Sequence, residues 1–203
     1  MERGARLVVL RPGFAGLALA ALLAVAPAPA RGTDALPLAQ ALASAFPGAR
    51  VERRMLALSS ADVKALEARA RAHCPSRLAT AYVAWRGDTL AGAAWTDRRV
   101  VRTREALLLV TVAPDTTVAR IDVLAFFEPP DYRPMARWLA LFRGRGARAP
   151  LTPPRQVPEV SGATLTSRAV NESARLALAW YELLLAPDLA RAAAGLRRAE
   201  GTP

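Results

Sequence analysis

The spacing of apolar residues changes along this chain, and each change marks an element. Residues 38–46 alternate at helical spacing and stop at Pro47-Gly48, so a short amphipathic helix is expected there. Residues 51–58 read as a strand. Ser59 with Asp62 three positions on resembles a capping box with Asp in place of the usual Glu, opening a helix that runs to about His73 and ends before Pro75. Four strands are predicted next, at 79–85, 90–96, 106–112 and 118–127. The first two flank Arg86-Gly87-Asp88 and the last two flank Ala113-Pro114-Asp115-Thr116-Thr117, both turn signals. Pro129 and Pro130 end the fourth strand. Residues 134–142 read as a short helix with Trp138, Leu139 and Phe142 on one face, and 144–157 as a loop rich in Arg, Pro and Gly. The last long helix spans about 166–185, with Val170, Ala174, Ala177, Leu178 and Tyr181 in one stripe. Residues 188–198 continue as an exposed helical tail. The pattern is α+β: a single domain, a mostly antiparallel sheet flanked by helices.

The first thirty residues follow a different logic. Arg3, Arg6 and Arg11 precede the apolar run 13–25, and Ala28-Pro29-Ala30 fits a small-x-small cleavage site. This is the layout of a secretory signal peptide, and the run is shorter than the ~20 residues of a spanning helix. If the signal stays uncleaved, it would anchor the protein to the membrane. The expected organisation is a signal peptide at 1–30, a helical lead-in at 31–78, the main domain at 79–186 and a tail at 187–203, with the mature protein exported to the periplasm or another extracytoplasmic space.

Composition narrows the chemistry. The net charge is +11 and almost all of it is arginine, Lys64 being the only lysine. The arginines are scattered, and no basic helix, zinc knuckle or RNA-binding aromatic motif accompanies them, so no nucleic-acid partner is expected. One cysteine, Cys74, precludes an internal disulfide, and His73 with Cys74 supplies too few ligands for a zinc or iron–sulfur site. No serine nucleophile motif or paired-carboxylate pattern points to hydrolysis.

The segment Ser161-Gly162-Ala163-Thr164-Leu165-Thr166-Ser167 stands between the proline-rich loop and the last helix. Gly162 allows close backbone approach, the hydroxyls can donate, and a helix start offers N–H groups and positive dipole character to an anion. On physics alone this is a phosphate seat or a plain loop with a helix cap.

Ser-Gly-Ala-Thr-x-Thr resembles the flavinylation motif of the FMN-binding domain family, found in the FMN-carrying subunits of the sodium-pumping NADH:quinone reductase and the Rnf complex and in stand-alone exported FMN-binding proteins. The resemblance implies that Thr166 carries FMN through a phosphoester, installed by a separate FAD:protein FMN transferase. It covers roughly residues 79–185. A second block, Glu128, Pro130, Trp138, Phe142 and Gly144, is similar to the family's turn and helix. Two positions depart from the family: Pro158 stands where an aspartate is common and Phe126 where a histidine is. Glu128 is then a residue near the flavin or one holding the turn, against a plain surface carboxylate. Trp138 and Phe142 are read as core ahead of cofactor stacking.

Electron transfer follows as the leading function. The protein would be a redox carrier without a substrate of its own, working between membrane or extracytoplasmic redox proteins, and a tethered cofactor suits a compartment cut off from the cytoplasmic nucleotide pool. The alternative is a non-redox binding or assembly module of the same fold that has lost the flavin.

Overall fold

The computed structural model describes residues 36–146, 164–187 and 189. The segment expected as a signal peptide, the helical tail expected at 188–198 (but for Leu189), Pro158, and Ser161, Gly162 and Ala163 lie outside them.

Five strands form one antiparallel meander in chain order: β1 (Arg50–Ala57), β2 (Leu78–Arg86), β3 (Thr89–Val100), β4 (Glu105–Val112) and β5 (Val118–Phe126). Both faces are covered, which makes the fold α+β as the pattern predicts. On one face α1 (Leu38–Ala45) brings Ala41, followed by Phe46, onto Ala84, Ala94, Leu109 and Leu124. On the other, α2 (Ser60–Ala70) and the long α4 (Thr164–Trp180) close the main core over Val83, Trp95, Leu108 and Val110. Burial from both sides explains why β4 reads as a continuous apolar run and not as an alternation. β1 is an edge strand of this same sheet and Leu66 of α2 is fully buried in the core, so residues 50–70 build the domain together with the later strands.

The local signals act as their chemistry dictates. The capping box is present in full: Ser59 Oγ accepts from the Asp62 N–H at 3.1 Å, and the Asp62 carboxylate accepts from the Ser59 N–H at 2.8 Å. Gly87, at φ +57°, closes the β2–β3 hairpin. The α4 stripe of Val170, Ala174, Ala177, Leu178 and Tyr181 is buried throughout, and the helix widens into a π turn at Tyr181–Leu185.

Most boundaries shift by a residue or two, the helix expected at 134–142 is α-helical over Ala136–Leu139 and 3-10 over Ala140–Phe142, and two further boundaries have a tertiary cause. α2 stops at Ala70, because Arg71 takes a left-handed conformation at φ +50° and the Glu67 side chain accepts the Cys74 N–H at 3.0 Å, folding the next residues back on the helix. β3 runs past Thr96 to Val100, still paired with β4. Its polar end ranks as strand because Asp97 and Arg99 are buried under α4 as partners: Arg99 Nε donates to Asp97 Oδ2 at 2.8 Å, Ser173 Oγ donates to the same oxygen at 2.7 Å, and Glu172 faces Arg99 Nη1 at 3.4 Å. A buried charge held this way escapes the pattern of apolar alternation.

Candidate functional site

The hydroxyl-rich segment enters the described structure as the first turn of α4. Thr164 and Leu165 are exposed there, whereas Thr166 and Ser167 are buried. The geometry follows from helical periodicity, which turns consecutive residues by about a quarter of a revolution or more and so splits the string between solvent and protein. Thr166 Oγ1 donates to the Tyr132 carbonyl at 2.9 Å. The Ser167 carbonyl accepts from Asn171 Nδ2 at 2.9 Å. Arg168 points to solvent.

Tyr132 ends a short 3-10 turn, Pro130–Tyr132, that follows β5. The Thr166–Tyr132 bond therefore brings the two sequence blocks, one around Glu128 and one around Thr166, into direct contact. Trp138 of α3 (Ala136–Leu139) and Phe142 lie deeper. They stack edge to face at 5.2 Å and are 7% and 0% exposed, so they are core residues and present no ring to a cofactor.

Glu128 is not a surface carboxylate. It is 4% exposed, and its Oε1 accepts three successive backbone N–H groups of the β3–β4 turn: Arg102 at 2.9 Å, Thr103 at 2.6 Å and Arg104 at 2.8 Å. These donors, Arg104 foremost, hold its carboxyl below the usual carboxylate range. Glu128 thus holds a turn, but the turn belongs to a different hairpin from the proline segment in which it stands.

Arg102 of that turn lays its guanidinium over the Tyr132 ring, 4.7 Å from the centroid. Between the turn and the proline segment opens a cleft of about 590 Å³, bordered by Arg102, Arg104, Phe127, Pro130 and Tyr132. Phe127 is 51% exposed at its rim. Arg102 and Tyr132 escape sequence reading: Arg102 belongs to a polar string without periodicity, and Tyr132 meets Thr166 through a backbone carbonyl that every residue type shares.

A five-stranded antiparallel sheet whose last long helix begins with a threonine, bonded through Tyr132 to the wall of such a cleft, defines a small α+β domain. Residues 104–179 match the family model of the FMN-binding domain, a match that supports FMN as a cofactor. The match spans β4, β5, the Glu128–Phe142 block and α4 nearly to its end, and so includes Glu128, Tyr132 and Thr166. Neither a curated protein nor a solved structure matches the chain.

The residues present fit this cofactor. A helix start suits its phosphate, and the cleft offers an exposed aromatic ring and a cation. Covalent attachment requires the Thr166 hydroxyl to leave the Tyr132 carbonyl. Helical threonine divides between two χ1 wells, so one rotation about Cα–Cβ redirects the oxygen without unwinding α4.

Proposed function

We propose that this protein is an exported electron-transfer flavoprotein with FMN joined through a phosphoester to Thr166, relaying electrons between membrane or extracytoplasmic redox proteins. The observation that carries the reading is the position of Thr166: within the matched segment, in the first turn of α4, and bonded to the residue that borders the cleft. FMN supplies the coupling of two-electron to one-electron partners. The chain's own residues bind and orient. The first turn of α4 offers N–H groups to the phosphate, Glu128 sets the wall of the cleft, and the buried Trp138–Phe142 pair supports the segment that carries Tyr132.

Attachment by an FAD:protein FMN transferase balances as a group transfer. The Thr166 Oγ–P bond forms, the phosphoanhydride bond of FAD breaks, AMP leaves, and the hydroxyl proton is released. The apolar run 13–25 and the small-residue site at Ala28-Pro29-Ala30 support export, which is checked by the N-terminus of the mature protein.

Co-expression with the transferase, followed by denaturation and intact-mass measurement, tests the reading. The expected product is yellow after denaturation and heavier by one FMN less one water, and Thr166→Ala abolishes the adduct. No adduct with a transferase that modifies a known acceptor would overturn covalent attachment and leave a non-redox module of the same fold. An adduct retained in Thr166→Ala would overturn the site and spare the function.

A further inference from the structure

We infer that Arg102 is a phosphate-reading residue for the flavin seated at Thr166, an inference that rests on the function proposed above. The β3–β4 turn holds Arg102 in place from two directions. The Val101 N–H bonds the Arg104 carbonyl at 3.0 Å, and Glu128 Oε1 gathers the three N–H groups of Arg102, Thr103 and Arg104. Such a collected carboxylate fixes the backbone on which the guanidinium stands. The guanidinium then lies 4.7 Å over the Tyr132 ring, while the carbonyl of that same Tyr132 accepts from Thr166 Oγ1 at 2.9 Å. Tyr132 therefore links the two: its ring lies under the Arg102 guanidinium and its carbonyl holds the hydroxyl that would carry the phosphate.

Two further features point to an anion at this place. Arg102 is exposed at the edge of the cleft and forms no ion pair among the described residues, so its guanidinium is open to an anion that enters the cleft. Glu128, which borders the same cleft, is turned to backbone donors. The guanidinium fork presents paired donors that match two phosphate oxygens, and its flat face stacks on a ring at the same time, a combination an ammonium cannot reproduce. Arg86, exposed at the end of β2 and outside the cleft lining, serves as the internal control.

The test uses the full, unloaded chain titrated with FMN and with riboflavin, read by flavin fluorescence. Riboflavin lacks only the phosphate. The wild-type chain is expected to bind FMN about tenfold more tightly than riboflavin, the scale of one charge-assisted pair. Arg102→Ala closes the gap by weakening FMN alone, Arg102→Lys restores part of it, and Arg86→Ala leaves it open. Equal affinity of the wild type for both flavins, no binding of either, or a gap that survives Arg102→Ala overturns the inference. Loss of both flavins in Arg102→Ala also overturns it, since that would place the residue against the ring. Failure of the function itself is distinguished by mass: an adduct at Thr166 with no phosphate discrimination sinks only the role of Arg102.

Discussion

Thr166 Oγ1 and the Tyr132 carbonyl, 34 positions apart in sequence, meet at 2.9 Å and join the start of α4 to the segment that leaves β5. This bond ties the proposed acceptor to the wall of its own cleft, so the hydroxyl serves the fold before it serves the cofactor.

Thr166→Val removes the bond while keeping the shape of the side chain. The unmodified chain is expected to lose ~1 kcal/mol, the worth of one hydrogen bond between neutral groups. Thr166→Ser keeps the hydroxyl and costs less. Thr164→Val, at an exposed position of the same turn, should change stability by no more than ~0.5 kcal/mol. Urea unfolding of the three variants checks the order.

Glu128 makes stability depend on acid. Its folded carboxyl titrates below the usual range because three backbone N–H groups favour the charged form. A depressed carboxylate contributes fully above its unfolded pKa of about 4.3, and the contribution is lost as pH falls through the folded value. Melting temperature measured between pH 7 and pH 3 should therefore fall less steeply in Glu128→Gln than in the wild type, with the Gln variant melting lower at neutral pH.

Asp97 is the strongest candidate for a destabilising charge deletion. It is 2% exposed and accepts from Arg99 Nε and Ser173 Oγ. Asp97→Ala leaves Arg99 buried with only the longer contact to Glu172 at 3.4 Å, at a cost of ~3–5 kcal/mol. The double variant Asp97→Leu with Arg99→Met removes both charges and should be more stable than Asp97→Ala. Denaturant midpoints of the two variants decide it.

Gly92 in β3 cannot take a side chain. It stands at φ +141°, and a Cβ would meet the Val112 carbonyl oxygen at 2.7 Å and Phe46 at 3.1 Å. Gly92→Ala therefore adds overlap with backbone to a conformational cost of ~1–3 kcal/mol. Gly48→Ala, at φ +70° with nothing within 4 Å, carries the conformational cost alone. Thermal unfolding should rank Gly92→Ala clearly below Gly48→Ala.

Much of the architecture was legible along the chain because it is local. Apolar runs between turn residues mark the strands, the Ser59–Asp62 pair marks the start of α2, and the stripe from Val170 to Tyr181 marks the buried face of α4. Where side chains break the apolar pattern, legibility fails. The sequence pattern ends β3 at Thr96, because the polar Asp97 and Arg99 break the apolar run, and only Ser173 and Glu172, over seventy residues on, supply their partners.

The candidate site divides in the same way. The hydroxyl string up to Ser167 and the carboxylate Glu128 are side-chain features, so composition and spacing alone single them out. Tertiary structure decided what each one does. Only the folded chain places Glu128 on the N–H groups of residues 102–104, Arg102 over Tyr132, and Thr166 on the Tyr132 carbonyl. The reason is physical. Periodicity reports which face of an element is buried, whereas these contacts join distant segments through backbone donors and acceptors, and those groups are the same at almost every position of any sequence.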